Sequence, residues 1–428
     1  MNFKDRKTLH QILTILVIAS LIALFALRIY AIYKTVPIVT WDDFLHRKGA
    51  LQGDYYSSFL GAIDDVIFPN PNLFDGHRSV GYHVWLVLGL KLSLSGNPEE
   101  TWQLVNLILL GIQGAALFGL SRWATGQSVF AGFVTTLYLS SPIVFGMNRW
   151  IMTENFVFTA TLIFSFLPAL LLTRRFEVRW KEILAAIFVA WGIGIFATLR
   201  EYALPSYFIL SFCTVLALLW ERRWVAAGFV FAILSGYNIT MLYGWKILFR
   251  VISQKTTQVE YFHPMPEWIP HIILYAVGSA LTILMVVGIG AILWRLFQLN
   301  QTSLKTRLTG LHIFWMGHLV LIPIYIAAIL ITDNRPVRAA IPLMMSFLTA
   351  ILVGLRVVNL PQRWLNFPQT QAFFIGLIAL SWVILSHQLF IAFDGGTTYA
   401  HHATNLEYYN HPLRLRPLED SNDMHVTY

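Results

Sequence analysis

The chain has 428 residues; apolar residues make up 57% of it, aromatic residues 15% and charged residues only 12%. Soluble domains average about 25% charged residues, so half of the usual solvating charge is missing. This composition excludes an ordinary soluble globular protein and an intrinsically disordered one. The 30 basic and 22 acidic residues give a formal net charge of +8, which in a membrane protein reflects basic cytoplasmic loops rather than binding to nucleic acid.

Apolar stretches of about 20 residues recur along the chain and predict an all-α polytopic membrane protein. The first stretch follows three basic residues, and no small-residue cleavage motif comes after it, so we interpret it as an uncleaved membrane helix. We expect about 11 transmembrane helices, at residues 9–30, 101–121, 126–146, 154–173, 182–199, 202–220, 224–244, 269–297, 311–332, 336–356 and 371–392. They form one membrane domain, residues 1–392, followed by a polar tail, residues 393–428.

One further apolar segment, residues 80–94, is shorter than the roughly 20 residues that a crossing needs. If it does not cross, the loops on the side of the N-terminus contain the larger group of basic residues: Arg122, Arg174, Arg175, Arg179, Lys181, Arg222, Arg223, Arg295, Lys305, Arg307, Arg356 and Arg363. The opposite loops contain the smaller group: Arg149, Arg200, Lys246, Arg250, Lys255, Arg335 and Arg338. The positive-inside rule then predicts a cytoplasmic N-terminus, an external tail and a long first external loop, residues 31–100, with interfacial helices.

The first external loop contains an adjacent acidic pair, Asp42 and Asp43. Neighbouring carboxylates disfavour each other's charge, so one of them can have a raised pKa and act as a general base. The alternative is a solvated acidic turn or a helix N-cap. His77 and Arg78 precede the 80–94 segment, which contains Tyr82. Arg78 there can bind a phosphate at headgroup level, or it can simply anchor the chain at the interface.

Three later turns on the same predicted side combine arginine with an acid. Glu154 leads directly into an apolar run, where burying it costs about 2.5–3.5 kcal/mol unless it has a partner. An ion pair with Arg149 is the purely structural alternative. The other two turns contain Arg200 with Glu201, and Asp333 with Arg335 and Arg338. Acids and arginines converging at one membrane surface indicate a site for an anionic headgroup and a proton.

In their order and spacing these features resemble the GT-C superfamily of membrane glycosyltransferases, and most closely its protein O-mannosyltransferase and lipid A aminoarabinose transferase branch. The resemblance is strongest over residues 1–200. It is carried by Asp42-Asp43, by His77-Arg78-Ser79-Val80-Gly81-Tyr82, by Arg149 and Glu154 after Ser141-Pro142, and by Arg338-Ala339-Ala340-Ile341-Pro342. The chain departs from the family pattern in having Asp at 43, Glu at 154 and Ala at 339.

The resemblance implies a GT-C-like membrane domain over residues 1–392 and transfer of a sugar from a polyprenyl-phosphate donor, with inversion, on the external face of the plasma (inner) membrane. The acceptor would be a lipid, a glycan or a protein. Asp42, in preference to Asp43, would take the proton of the acceptor hydroxyl. Arg78, Arg200 or Arg338 would neutralise the leaving lipid phosphate. Glu154 would position a substrate or, with Asp43, a divalent metal such as Mg²⁺ or Mn²⁺, which the acids permit without requiring.

Two other functions remain open from the residues. A secondary transporter or flippase of an anionic lipid or solute would need ionisable residues near the middle of its spans. Here the predicted charges lie at one face, which favours the enzyme. A polysaccharide polymerase or ligase would also be polytopic, but such proteins usually have their large loop late in the chain, whereas here the large loop comes first.

Overall fold

A computed structural model of the chain describes residues 3–34, 38–39, 98–141, 144, 154–199, 203–239, 279–301, 308–331, 336–358, 365, 367–394 and 416–417. These residues form eleven helices and one pair of two-residue strands. The helices are α1 (Phe3–Lys34), α2 (Pro98–Thr125), α3 (Ser128–Ser140), α4 (Glu154–Thr173), α5 (Arg179–Leu199), α6 (Leu204–Trp220), α7 (Trp224–Ile239), α8 (Ser279–Gln301), α9 (Gly310–Ile331), α10 (Pro336–Val357) and α11 (Pro368–Asp394).

Each predicted span overlaps one of these helices, so the prediction of an apolar helical bundle is confirmed. In the described part of the chain, four helical stretches are long and apolar enough to cross a membrane: Gln11–Tyr30, Leu104–Thr125, Leu281–Gln298 and Gly310–Ala327. Large apolar side chains also face outward, with Ile15 65%, Phe212 68% and Val383 66% exposed. Such a surface is unfavourable in water and suits a hydrocarbon solvent. The number of crossings stays a prediction, and residues 80–94 lie outside the described part of the chain.

One predicted span is wrong in its length. Residues 126–146 were expected to be helical, but α3 ends at Ser140. The next residue, Ser141, is extended (φ −64°, ψ 131°), as expected for a residue that precedes proline, here Pro142. At 1.5 Å per residue α3 is therefore roughly 20 Å long, well short of a hydrocarbon core of about 30 Å.

The two strands, which the all-α prediction did not include, join distant parts of the chain. Strand β1 (Ile38–Val39) pairs antiparallel with β2 (Arg416–Pro417), with Ile38 opposite Pro417. A pairing of two residues leaves no periodic pattern in a sequence, and so it could not be predicted. It connects the segment after α1 with the tail after α11.

Contacts along the helices show that α1, α3 and α11 run in one direction. Val17 packs against Gly132 near the start of α3, and Arg28 binds Leu139 near its end. In α11 the ring of Phe374 meets Phe130 edge-on and packs at a tilt against Phe133, and Trp382 donates to Ser20 of α1. Helix α2 runs the opposite way, because Gly126, with a left-handed φ of 72°, reverses the chain between α2 and α3. The end of α1 and the start of α2 therefore lie on the same side.

The remaining helices continue this alternation. Helix α4 runs parallel to α2, while α5 and α7 run antiparallel to α4; α6 is antiparallel to α9, and α8 is parallel to α10. These directions follow from the pairs Gln113–Thr159, Trp123–Phe166, Gly192–Phe164, Glu182–Arg223, Gly194–Tyr237, Ser206–Tyr325, Trp220–Leu308, Gly288–Ile351, Gly354–Ile292 and Arg356–Trp123.

One end of the bundle is rich in exposed cations, and we call it the basic end. The odd-numbered helices start there and the even-numbered helices finish there. Among the described residues, its exposed cations are Arg122, Arg174, Arg175, Arg179, Lys181, Arg222 and Arg356. This matches the loops that the charge pattern assigns to the cytoplasm. We call the opposite end the upper end; α2, α4, α6, α8 and α10 begin there.

Candidate functional site

Most of the predicted site residues lie outside the described part of the chain. This applies to Asp42, Asp43, His77, Arg78, Tyr82, Arg149, Arg200 and Arg335. The two others are placed by their backbone. Glu154 is the first residue of α4, and Arg338 lies in the first turn of α10. Both helices begin at the upper end. Arg200 directly follows the last residue of α5, and Arg335 directly precedes the first residue of α10.

Helix α4, which begins with Glu154, and helix α10, whose first turn contains Arg338, belong to a group of three parallel helices. Helices α2, α4 and α10 pack against one another, and all three begin at the upper end. The N-terminus of a helix carries partial positive charge and unpaired N–H groups. Parallel N-termini at one end of a bundle therefore favour an anion there, such as a phosphate.

A buried hydrogen-bonded chain joins three helices below this end. The Tyr138 hydroxyl of α3 donates to Gln113 Oε1 of α2 at 2.5 Å, and Gln113 Nε2 donates to Thr159 Oγ1 of α4 at 2.9 Å. Tyr138 and Gln113 are completely buried. Because polar groups in an apolar interior cost free energy unless they are paired, this chain fixes the register of α4 against α2.

The register gives the depth of Glu154. At 1.5 Å per residue, Gln113 lies roughly 18 Å above the last residue of α2. Glu154 precedes Thr159, the partner of Gln113, by five residues, which places its backbone roughly 26 Å above the same point. The apolar stretch of α2 starts at Leu104, about four residues above that level. The backbone of Glu154 therefore begins α4 inside the apolar level of the bundle.

Arg28 is the residue that the sequence analysis missed. Its side chain is 1% exposed, and its Nε donates to the carbonyl oxygen of Leu139 at 2.8 Å. Leu139 is in the last turn of α3, where carbonyl groups lack helical partners and the helix dipole is negative. The guanidinium thus lies at the end of a helix that stops partway across the bundle. Irregular backbone at such a depth is tolerated where it is buried in protein or lines a cavity.

The backbones of Arg28 and Glu154 lie at about the same depth in the bundle. Phe25 packs against Gly111, where a Cβ atom would lie 3.1 Å from its ring. Gly111 is roughly 21 Å above the end of α2, and Arg28 is three residues beyond Phe25, so its backbone is also about 26 Å above that point. The sequence signal was a single arginine near the end of the span Gln11–Tyr30. Because an arginine at the end of a span usually marks the membrane boundary, it gave no reason to expect burial.

A second ionisable side chain is buried lower in the bundle. His318 of α9 is 1% exposed, and its ring meets that of Phe314 edge-on, with 4.9 Å between centroids. At eight residues from Gly310 it lies roughly 12 Å from the start of α9. Ionisable groups inside a membrane bundle are uncommon, and they usually mark a functional path.

Within the described ranges, no three side chains of His, Cys, Asp or Glu come together as a metal site. The acids expected to permit a metal, Asp43 and Glu154, have no described side chain, so the metal stays a prediction. In comparisons with known proteins, no family model matches this chain and no curated protein matches it. The functional assignment therefore rests on the residues and on the ends of the helices that carry them.

Proposed function

We propose that this protein is a GT-C-type glycosyltransferase of the plasma membrane. It crosses the bilayer eleven times with its N-terminus inside, and it moves a sugar from a polyprenyl-phosphate donor to an acceptor hydroxyl on the external face. One observation carries the proposal. Helices α4 and α10 are parallel, pack against each other and begin at the end opposite the exposed cations. Glu154 is the first residue of α4, and Arg338 lies in the first turn of α10.

The proposed reaction is a single displacement at the anomeric carbon. Asp42 accepts the proton of the acceptor hydroxyl while its oxygen forms the new bond to that carbon. The bond between the carbon and the phosphate oxygen breaks on the opposite side, so the configuration inverts. The leaving group is the polyprenyl phosphate, whose growing negative charge is neutralised by Arg78, Arg200 or Arg338. The N-termini of α2, α4 and α10 add partial positive charge at the same end.

Arg28 extends this site into the bilayer. Phe25 of its helix contacts Gly111 of α2, on which α4 also packs, and the backbone of Arg28 lies at about the same depth as that of Glu154. A cation buried at that level favours a phosphate that approaches sideways from the lipid, where electrostatic attraction is less screened than in water. Glu154 then has the role of positioning the sugar or the acceptor.

The experiment is a transfer assay with the full chain in proteoliposomes, supplied with a polyprenyl-phosphate sugar identified by mass spectrometry of the lipid that co-purifies. We expect Asp42→Asn to reduce transfer at least about 100-fold, since a general base contributes about 10²–10⁴-fold. The matched control is Asp64→Asn, because Asp64-Asp65 is a second acidic pair in the same segment. The Asp64 variant should retain activity. Near-normal transfer by the Asp42 variant would remove this residue as the base.

The buried cation and histidine support a second candidate function, a flippase or secondary transporter for an anionic lipid or solute. Arg28 and His318 are both 1% exposed inside the bundle, and α3 stops partway across it. Buried ionisable groups and short helices are typical of transport pathways. The two functions differ in their product. A transporter would move a labelled polyprenyl-phosphate sugar across the proteoliposome membrane without breaking its glycosidic bond.

A further inference from the structure

Two turns at the basic end lie side by side. They are residues 174–181, between α4 and α5 and into its first turn, and residues 221–223, between α6 and α7. Arg223 joins them, because its Nε is paired with Glu182 and its guanidinium donates to the carbonyl oxygen of Leu171 at 2.7 Å. The ring of Phe176 lies 5.5 Å from the guanidinium of Arg174 and 5.6 Å from that of Arg223.

Arg222 has a backbone conformation that an arginine rarely adopts. Its φ is 59°, in the left-handed region that favours glycine. Its N–H donates to Leu219 O at 3.0 Å and that of Arg223 donates to Leu218 O at 2.9 Å, which is the Schellman pattern that ends a helix. Glycine would satisfy this turn with less strain. The turn therefore gives no reason for an arginine side chain at this position.

The side chain of Arg222 is exposed and makes no hydrogen bond or ion pair with any residue that the structure describes. Four further cations of the two turns are also exposed. Together with Arg222 they form what we call the basic surface: Arg174, Arg175, Arg179, Lys181 and Arg222.

Most acids in or beside the two turns already have partners. Glu182 is paired with Arg223, and Glu221 Oε1 accepts from the backbone N–H of Gly310 at 2.6 Å, at the start of α9. Among the described residues of these turns, Glu177 is the one carboxylate without a partner. Five exposed cations against one free acid leave a strong positive surface, and such a surface attracts anions.

Tryptophans place the basic surface at the level of lipid headgroups. Trp180 lies in the first turn, and Trp220 and Trp224 flank the second; they are 57%, 55% and 64% exposed. Exposed tryptophans of this kind concentrate where a membrane meets water. The cytoplasmic leaflet, which the charge pattern assigns to this end, carries anionic phospholipids. We propose that the basic surface binds the headgroup phosphate of an anionic phospholipid, with Arg222 as a direct ligand. This site is separate from the upper end and does not depend on the transfer reaction.

Arg222→Gly is the most informative variant, because it removes the cation and relaxes the turn at once. The detergent-solubilised full chain would be titrated with phosphatidylglycerol, and the midpoint of thermal unfolding would report binding. We expect the variant to bind this lipid about fivefold more weakly, the effect expected for one cation at a lipid surface. Without the lipid, its midpoint should equal or exceed that of the wild type. The double variant Arg174→Gln, Arg175→Gln should bind roughly 25-fold more weakly.

Arg122→Gln is the control, since Arg122 is an exposed cation of the basic end outside the two turns. It should bind the lipid within twofold of the wild type. A second arm replaces phosphatidylglycerol with inorganic phosphate, which should give no comparable shift. The proposal is overturned if Arg222→Gly binds phosphatidylglycerol normally, if it unfolds at a lower temperature without lipid, if the control weakens binding equally, or if inorganic phosphate protects as well as the lipid.

Discussion

At the scale of single residues, buried polar side chains decide how the helices fit together. Gln113 joins Tyr138 of one neighbouring helix to Thr159 of another. None of these residues would attract notice in the sequence, because each is one of several uncharged polar residues scattered through these apolar helices. Their meaning depends on contacts between segments that are 25 and 46 positions apart in the chain.

We predict that Gln113→Leu lowers the free energy of unfolding by about 2 kcal/mol, because it leaves two buried hydroxyl groups without this partner. Tyr138→Phe should cost about 1 kcal/mol alone. The double variant should be more stable than the sum of the two losses predicts, by about 1 kcal/mol. Unfolding in detergent micelles measures all three, with the exposed Gln369→Leu as a control of little effect. If the two losses of stability simply add in the double variant, Gln113 and Tyr138 do not stabilise the fold through their contact.

Arg28 shows where sequence reasoning stops. An arginine after an apolar run usually marks the membrane boundary, and that interpretation is sound for a helix considered alone. The burial of Arg28 depends on α3 ending at Ser140. The guanidinium of Arg28 donates to a carbonyl oxygen in the last turn of that helix. The Ser141-Pro142 pair that ends α3 was visible in the sequence and could have been used. The position of Arg28 against that end could not, because it requires the packing of α1 on α3.

At the scale of helices, glycines set which pairs approach closely. Helices α6 and α9 meet at Gly317, where a Cβ atom would lie 2.7 Å from the sulfur of Cys213. Close approach at small residues provides van der Waals contact that lipid chains cannot supply. The helices themselves were predictable from local apolar runs. Their partners were not, since a glycine in an apolar helix looks the same whether it is packed or faces lipid.

We predict that Gly317→Ala lowers the free energy of unfolding by about 1–3 kcal/mol through overpacking against Cys213. Gly228→Ala is the matched control, because no atom lies within 4 Å of the position of its added Cβ. That control should be neutral or slightly stabilising. Adding Cys213→Ala to Gly317→Ala should restore part of the loss. If Gly317→Ala were as stable as the Gly228 variant, close packing at this glycine would be disproved.

At the scale of the whole molecule, the proposed function depends on which side of the membrane each end of the bundle faces. The exposed cations that the structure describes lie at one end of the bundle. At the other end Glu154 begins α4, and Arg338 lies in the first turn of α10. Counting basic residues predicted this division, because the positive-inside bias is a property of composition and order along the chain. The convergence of side chains at the upper end is a property of packing, and for that reason the acidic pair and its arginines remain predictions.

Labelling of single cysteines with a membrane-impermeant maleimide in intact cells tests this polarity most directly. Cys213 is the only cysteine of the chain, so Cys213→Ala provides the background. Thr40→Cys lies beside the acidic pair, Glu201→Cys beside Arg200, and Glu177→Cys at the exposed basic end. We expect the variants at 40 and 201 to be labelled from outside, and the variant at 177 only after permeabilisation. Labelling of 40 and 201 from opposite sides, or of 177 together with 40, would contradict the account.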